Sequence, residues 1–259
     1  MARLHFLLPS LEGTIARWLN CYNPRMFGPV LAGTVAAAAI AAGYQSMSPT
    51  CQWYGRTFLG LPRGTKQLAL TYDDGPNDPH TLRLLEVLAR HNARATFFLV
   101  GRFVRQRPDI VRALTQAGHV VGNHTFTHPL LTIRSAVEVR RQLSDCRSAL
   151  EDAIGAHSNL FRPPFGGRRP AVLNVARELG LEPVMWNVTG YDWKAHPAEV
   201  IESKVQKQIR GGDIILLHDG GYRQMGADRS QTVLATDHLI SRYRPEGYEF
   251  VTVQQMIET

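Results

Sequence analysis

Between residues 67 and 253, short apolar runs alternate regularly with longer helical patterns, and this alternation constrains the fold more than any other feature. The apolar runs predict seven strands, at residues 68–72, 95–100, 119–121, 160–162, 183–188, 213–217 and 249–253. Helical patterns lie between them at residues 79–90, 108–117, 135–154, 170–179, 197–209 and 230–243. The pattern is typical of parallel strands connected by helices, either closed into a barrel or wound as an open sheet.

Two adjacent carboxylates, Asp73 and Asp74, follow the first predicted strand in the sequence TYDDGP. Neighbouring side chains of a strand point to opposite sides, so adjacent acids are costly inside it. At the carboxyl end of the strand they can turn toward one pocket and divide two tasks. A solvated Asp-Asp-Gly-Pro turn is the alternative interpretation.

A second polar stretch, GNHTFTHP, follows the third predicted strand and contains His124 and His128. Their spacing of four residues would allow one helical turn to direct both imidazoles at a single ion. A histidine pair by itself is more often a surface or core feature than a metal site. With Asp74 from a neighbouring strand end, the set becomes Asp, His, His, which leaves zinc an open position for water.

Three more polar stretches follow later strands. The sequence RPPFG begins with Arg162 and continues as a rigid turn with backbone N–H groups available to an oxyanion. Asp192 and Trp193 follow the fifth predicted strand, and His218 follows the sixth in the sequence LLHDG. In a barrel of parallel strands the loops at the carboxyl ends form the active site, so we expect all these side chains around one pocket.

In this order and at these spacings, TYDDGP, HTFTH, RPPFG, YDW and LLHDG resemble the five motifs of the polysaccharide deacetylase (NodB-homology) family, carbohydrate esterase family 4. The resemblance implies an α/β fold of the distorted (β/α)7 barrel type. It also implies a divalent metal, normally Zn²⁺ with Co²⁺, Mn²⁺ or Ni²⁺ as alternatives. The implied activity is removal of acetyl groups from N-acetylglucosamine polymers or, in some members, from acetylated xylan.

The resemblance also implies roles for single residues. Asp73 resembles the catalytic base, which Arg162 would hold ionised, and His218 resembles the general acid, which Asp192 would tune. The implied metal ligands are Asp74, His124 and His128. The residues that the resemblance places against the substrate are Phe165, through its backbone N–H, and Trp193 and Leu216 around the acetyl methyl. Independently of the resemblance, Tyr191, Tyr222 and Arg223 flank the motifs and are candidates to line the sugar groove.

Elementary electrostatics agrees with these roles. A carboxylate that lends its charge to a metal cannot also act as base, so two are needed. Arg162 would lower the pKa of Asp73 by favouring its charged form, and Asp192 would raise the pKa of His218. The sequence departs from the usual motifs only at Tyr72, Phe165 and Thr189, which affects substrate fit and removes no catalytic group.

The N-terminal part contains an uncharged, alanine-rich stretch from Met26 that predicts a transmembrane anchor or signal-peptide-like segment at residues 26–47. Residues 1–25 carry an excess of positive charge, which orients the rest of the chain outward across a membrane. The same residues have an amphipathic pattern. Residues 48–66 predict a linker, and residues 67–253 predict the deacetylase domain. We therefore expect a cell-membrane protein with its catalytic domain outside the cytoplasm, with a secreted or periplasmic form as the alternative.

Charge and cysteine content restrict the partners. The net charge of +7 comes from scattered residues without basic clusters interleaved with aromatic residues, so we predict no nucleic-acid partner. We predict no protein partner, and the oligomeric state stays open. Three separated cysteines do not indicate a zinc ribbon, although a Cys51–Cys146 disulfide is an option outside the cytoplasm.

The leading hypothesis is a metal-dependent N-deacetylase acting on peptidoglycan or chitin-like oligosaccharides. Within the same fold, an O-acetyl esterase acting on xylan or a cyclic-amide hydrolase is the alternative. A non-catalytic glycan-binding wall protein is the alternative from another class, since fold alone does not determine function.

Overall fold

The computed structural model describes residues 24–156 and 158–259. It divides into a unit that ends at Tyr44 and a unit from Gln45 to Thr259. Helix α1, Pro24–Met47, contains an apolar stretch, Gly28–Met47, with a mean hydropathy of 1.3 that is long enough to cross a bilayer. A signal sequence would have the same properties. The predicted amphipathic segment lies outside the described residues except for its last two.

The predicted alternation of strands and helices is present in the second unit. Its strands are β1 Gln67–Gly75, β2 Ala95–Leu99, β3 Val120–Asn123, β4 Leu160–Phe161, β5 Glu182–Pro183, β6 Val188–Thr189, β7 Asp213–His218 and β8 Glu249–Phe250. Its helices are α2 His80–Arg90, α3 Gly101–Gln106, α4 Pro108–Gln116, α5 Ala136–Ile154, α6 Pro170–Glu178, α7 Ala198–Gln206, α8 Ser230–Tyr243 and α9 Val253–Glu258. Helices α3 and α9 are additional to those that the sequence predicted.

All strand pairings are parallel, in the order β5-β4-β3-β2-β1-β7-β6, with β8 beside the start of β1. The predicted barrel-type α/β fold is confirmed. The single strand predicted at residues 183–188 is wrong in detail, because it forms both β5 and β6, which lie at opposite ends of this order. Only four residues connect them, so the sheet curls until its two ends are close.

The segment predicted as a linker, residues 48–66, packs into this gap. The Phe58 N–H donates to Pro183 O at 2.8 Å, and Phe58 O accepts from Met185 N at 2.9 Å. Farther along, Gly60 forms an antiparallel bridge with Asp213 of β7. The segment thus supplies a short bridge between the two ends of the curled sheet.

Alternation along β1 determines which side chains enter the barrel. Leu68, Leu70 and Tyr72 belong to the core between the sheet and the surrounding helices. Ala69 belongs to an interior cluster at the amino end of the barrel. Because alternate side chains share a face, Thr71 and Asp73 continue the interior face toward the carboxyl end. The interior is therefore apolar at one end and polar at the other.

The two described cysteines are free thiols. Cys146 is fully buried on α5, and its thiol lies 3.5 Å from Leu99 O. Cys51 is partly exposed and contacts the side chain of Gln45. The optional Cys51–Cys146 disulfide is therefore not formed in this structure.

Candidate active site

The carboxyl end of β1 carries the two adjacent carboxylates. Strand β1 continues to Gly75 and contains both acids, whereas the sequence predicted that it ends before them. The register with β2 shifts between Asp73 and Gly75, and Asp74 adopts a φ of 75°. Such a bulge redirects one side chain of a strand. It allows both carboxylates to line the same cavity, of about 840 Å³.

Asp73 is paired with a buried arginine inside the barrel. Arg162 Nη1 donates to Asp73 Oδ1 at 2.8 Å and lies 2.8 Å from Thr71 Oγ1. The guanidinium also lies 4.1 Å from the centre of the Phe98 ring, a cation–π distance. Removing one partner of such a pair would leave a buried charge uncompensated. Arg162 thus fixes the orientation of the Asp73 carboxylate.

The balance of effects on Asp73 differs from the sequence-based expectation. Burial raises the pKa of the Asp73 carboxyl above its usual value, and the Arg162 guanidinium offsets only part of that increase. The predicted lowering by Arg162 is present but is outweighed by desolvation. A raised pKa suits a carboxylate that acts as base near neutral pH.

Asp74, His124 and His128 lie together beside this pair. Asp74 Oδ1 lies 3.1 Å from His128 Nε2 and 3.6 Å from His124 Nε2. Ligand atoms of the three residues all lie within 4.8 Å of one another. All three side chains are buried. The predicted set therefore forms a possible Asp–His–His metal site.

The donor atoms fit a cation. Asp74 Oδ1 is buried and has no hydrogen-bond partner among the described residues. His124 Nδ1 lies 2.8 Å from Arg162 O, which requires a proton on Nδ1 and leaves a lone pair on Nε2. Burial lowers the pKa of His124 to about 3 and that of His128 to about 2, so both imidazoles are neutral at pH 7. Burial and repulsion from Asp73 raise the pKa of Asp74 to about 7 despite attraction to His218. A bound cation would stabilise the ionised form of this carboxylate.

The two histidines are held by a loop and not by a helical turn as predicted. Thr125 and His128 have φ values of 66° and 60°, which a helix does not allow. The His128 N–H donates to Thr125 Oγ1 at 3.0 Å. Gln142 on α5 accepts hydrogen bonds from the N–H groups of Phe126 at 3.1 Å and Thr127 at 2.9 Å. Thr125 within the motif and Gln142 outside it therefore hold the loop in this geometry.

A second charged pair stands at the end of β7. His218 is paired in register with Asp73, so the two side chains share one end of the sheet. His218 Nδ1 lies 2.9 Å from Asp192 Oδ1, and Asp192 Oδ2 accepts from the His218 N–H at 2.7 Å and from Thr232 Oγ1 at 2.9 Å. Nε2 of His218 is not engaged by this pair.

The pair controls the protonation of the imidazole. Burial alone would lower the pKa of His218, but the Asp192 carboxylate and the two cavity carboxylates raise it to about 9. Burial alone would raise the pKa of Asp192, whereas His218 and hydrogen bonds keep it below its usual value. The predicted effect of Asp192 on His218 therefore has its physical basis in this contact.

Most of the predicted substrate-contacting residues line the cavity. They are Phe165, Trp193, Leu216, Tyr222 and Arg223. The Tyr222 ring stacks on His128 with centroids 4.6 Å apart, and Trp193 meets His218 edge-on at 5.2 Å. Tyr191 does not line the cavity; it lies against Trp193 at 5.2 Å and is 40% exposed.

Sequence reasoning missed several supporting residues. Trp186 and Arg229 line the cavity, and Thr71, Thr232 and Gln142 hold its charged or ligating groups. The periodicity of β1 places Thr71 on the same face as Asp73 and provides a signal for that residue. Gln142 lies in the middle of a regular helical pattern, and nothing local distinguishes it.

Known proteins resemble this chain over the same region. A family model described as polysaccharide deacetylase matches residues 60–184. A peptidoglycan-N-acetylglucosamine deacetylase of Bacillus cereus is 36% identical over 76% of this chain and 91% of its own length. The chain belongs to the polysaccharide deacetylase family. A chitooligosaccharide deacetylase of Azorhizobium caulinodans is 35% identical over 73% of this chain and 93% of its own length.

Solved structures of this family have the same fold. A crystal structure of a peptidoglycan N-acetylglucosamine deacetylase in complex with a substituted N-oxidanyl-benzamide has a TM-score of 0.73 and 34% identity, covering 78% of this chain and 92% of its own. A pseudoenzyme of the family from Bacillus anthracis has a TM-score of 0.70 and 30% identity, covering 77% of this chain and 68% of its own. Membership of the family alone therefore does not establish activity. Activity of this chain is inferred from the residues of its cavity.

Proposed function

We propose that this chain hydrolyses the acetamido group of N-acetylglucosamine units in peptidoglycan and releases acetate. One observation carries the proposal. Asp73, His218 and the Asp74–His124–His128 cluster line one cavity together with several aromatic side chains. Arg162 and Asp192 are the buried partners of Asp73 and His218. The names of the most similar relatives support the substrate class.

Asp74, His124 and His128 would hold a divalent metal. Two neutral imidazoles and one carboxylate suit Zn²⁺ and leave an open position, although Co²⁺, Mn²⁺ and Ni²⁺ accept similar ligands. When bound, the metal supplies Lewis-acid polarisation and makes water more acidic. Asp73 is left free of this task because its Oδ1 is held by Arg162 at 2.8 Å.

Asp73 acts as the general base. Its carboxylate accepts a proton from the attacking water, and Arg162 keeps the carboxylate aligned during the transfer. The raised pKa of Asp73 makes it a stronger base than an exposed aspartate. A positioned base of this kind accelerates a reaction by roughly 10² to 10⁴-fold.

The turn that follows Arg162 binds the carbonyl oxygen as it becomes negative. Phe165 has a φ of 57°, and the N–H groups of Gly166 and Gly167 are used within the turn, donating to Pro163 O and Pro164 O at 2.9 Å. No backbone acceptor of the described residues takes the Phe165 N–H. This free donor at the cavity supports its role toward the oxyanion.

His218 acts as the general acid. An amine leaves poorly unless it is protonated, and the raised pKa keeps the imidazole charged at neutral pH. Asp192 holds Nδ1, so the proton is delivered from Nε2. Trp193 and Leu216 form the apolar walls near His218 and would receive the acetyl methyl.

Acetate release from N-acetylated peptidoglycan oligomers tests the proposal. The purified chain is assayed as isolated, after chelation, and after addition of each metal. We expect release that chelation abolishes and Zn²⁺ restores. Activity that persists after metal removal would contradict the metal assignment, and absence of release under every condition would contradict the function.

Chitin-like oligosaccharides are the second candidate substrate, because a chitooligosaccharide deacetylase is among the relatives. Parallel assays with chitooligomers distinguish the two. Because the family includes a pseudoenzyme, a non-catalytic glycan-binding function is the other alternative. Glycan binding without acetate release would support it. Asp73 and His218 line the same cavity, and Arg162 is the buried partner of Asp73; this arrangement supports catalysis over simple binding.

We also propose that α1 anchors the catalytic unit at the outer face of a membrane, since its apolar stretch is near the N-terminus. Membrane fractionation of the full chain, together with N-terminal sequencing, tests this proposal. A cleaved N-terminus after residue 40 would indicate a signal peptide and a secreted or periplasmic protein instead.

A further inference from the structure

The loop between β7 and α8, residues 219–229, forms one wall of the cavity and places two arginines on it. Tyr222, Arg223, Gln224 and Arg229 of this loop line the cavity. The cavity residues used by the proposed reaction account for the metal and the acetyl group. Arg223 and Arg229 have no role in that reaction.

The backbone of this loop is held firmly. Asn77 Oδ1 accepts from the Gly226 N–H at 2.7 Å, and Asn77 Nδ2 donates to Ala227 O at 2.9 Å. Arg102 donates to Arg223 O at 2.9 Å and also to Tyr222 O. The position of Arg223 at the rim is therefore built by contacts from two other parts of the chain, and its backbone is not a freely moving surface loop.

The Arg223 side chain is exposed and has no acidic partner. Its Nε lies 3.3 Å from Tyr222 Oη, and no carboxylate of residues 24–156 or 158–259 lies within salt-bridge distance of its guanidinium. The loop has two acids, and both are engaged elsewhere. Asp219 is buried and accepts from Thr81 Oγ1, whereas Asp228 lies 3.5 Å from His80 and accepts from the Ser230 N–H. The two terminal nitrogens of the guanidinium, Nη1 and Nη2, thus remain as donors for a ligand.

Tyr222 relates this guanidinium to the metal site. The Tyr222 ring stacks on His128 at 4.6 Å, and the Arg223 guanidinium carbon lies 5.7 Å from the centre of the same ring, along the cavity wall. A group bound by Arg223 would therefore belong to a sugar beside the one that reacts. Arginine binds carboxylates through paired N–H donors, so this position suits a negatively charged neighbouring sugar.

We propose that Arg223 forms a subsite for a carboxylate carried by the sugar next to the reacting N-acetylglucosamine. This inference rests on the proposed function and refines its substrate class. Peptidoglycan carries a lactyl carboxylate on every second sugar, or peptide carboxylates where a stem is attached, whereas chitin is uncharged. The subsite would therefore make the chain prefer the anionic glycan. Arg229, whose Nε donates to Gly220 O at 2.7 Å, adds positive charge to the same wall.

The central comparison of the test is between a peptidoglycan oligomer and its amide, which differ in charge. Affinity and kcat/KM are measured for three oligomers of equal length: peptide-free peptidoglycan, the same oligomer with its lactyl carboxyls converted to amides, and chitin. A fourth, stem-bearing oligomer distinguishes a lactyl carboxylate from a peptide carboxylate. The proteins are the full wild-type chain, Arg223→Gln, and the control Arg63→Gln, which removes an exposed arginine that does not line the cavity.

We expect the wild type and Arg63→Gln to prefer an anionic oligomer over its neutral counterpart by about 2- to 5-fold, as an exposed charge pair allows. Arg223→Gln should reduce this ratio to about one, and added salt should reduce the ratio of the wild type. An unchanged ratio in Arg223→Gln, or no preference in the wild type, would overturn the subsite. Absence of acetate release would contradict the proposed function instead, and the ratio of affinities would still decide the subsite.

Discussion

Adjacent aspartates with different neighbours are the main feature at the scale of single residues. Asp73 meets Arg162 at 2.8 Å, whereas Asp74 Oδ1 meets His128 Nε2 at 3.1 Å and accepts no hydrogen bond among the described residues. The difference arises from the bulge in β1, since an unbroken strand would point the two side chains to opposite faces. The roles of base and metal ligand follow from these contacts.

Asp73→Asn should therefore separate chemistry from metal binding. We expect Asp73→Asn to retain the metal and to lose about 10² to 10⁴-fold in kcat, because the amide cannot accept the proton. His128→Ala should lose the metal as well as activity. Metal content per chain and acetate release are measured on both variants. Equal loss of metal in the two variants would refute the division of roles.

The protonation of His218 predicts a pH dependence. The pKa of His218 is raised to about 9 from 6.5, so the acid form is present at neutral pH and is lost as pH rises through about 9. We expect kcat to fall along that alkaline limb. Asp192→Asn removes the carboxylate at 2.9 Å and should move the limb to lower pH.

The pH profile of kcat for wild type and Asp192→Asn checks this prediction. Glu199→Gln, which changes an exposed acid of α7, serves as the control and should leave the limb in place. A limb that stays in place in Asp192→Asn would show that His218 is not the group that titrates.

At the scale of elements, the histidine loop depends on α5. Gln142 is nearly fully buried, accepts from two loop N–H groups and donates to Thr127 Oγ1 at 2.9 Å. It therefore orients His128 without touching the metal site. Residues that orient ligands in this way typically change metal affinity by 10- to 100-fold when removed.

Gln142→Ala should weaken metal binding by about 10- to 100-fold while the chain stays folded. The matched control is Arg141→Ala, which removes the neighbouring side chain on the exposed face of α5. Metal titration of the metal-free proteins, with circular dichroism to verify folding, gives the comparison. Wild-type metal affinity in Gln142→Ala would show that the loop holds its shape without α5.

The elements also show what the sequence can predict. Long helices such as α5 and the buried strands β1 and β7 follow from periodicity, and the five motifs locate the site at strand ends. The two short strands β5 and β6 could not be separated, because a single polar residue, Asn187, is the only interruption of the apolar run 183–188 after Pro183. The loop geometry at His124 and His128 could not be predicted either, since it depends on Gln142, which lies 14 residues after His128.

At the scale of the whole molecule, the carboxyl end of the barrel concentrates buried charge that the fold must accommodate. Without a cation, burial and repulsion from Asp73 raise the pKa of Asp74 from 3.8 to about 7 despite the attraction of His218. The unfolded chain releases this proton at lower pH than the folded chain does. The metal-free fold should therefore lose stability from this group as pH rises from about 4 to about 7.

Metal should reverse this loss, because a ligand that binds only the folded state stabilises it, by about 2.7 kcal/mol when present at 100 times its Kd. We predict that chelation lowers the Tm of the wild type more at pH 8 than at pH 5. Asp74→Asn should have a higher metal-free Tm at pH 8 than the wild type and no response to added metal.

Asp152→Asn, which changes an exposed acid on α5, is the control and should behave as the wild type. Thermal unfolding at both pH values, with and without metal, gives these comparisons. If Asp74→Asn still gained stability from metal, Asp74 would not be a ligand; if its metal-free Tm at pH 8 fell below that of the wild type, the Asp74 carboxylate would stabilise the empty site and the repulsion argument would fail.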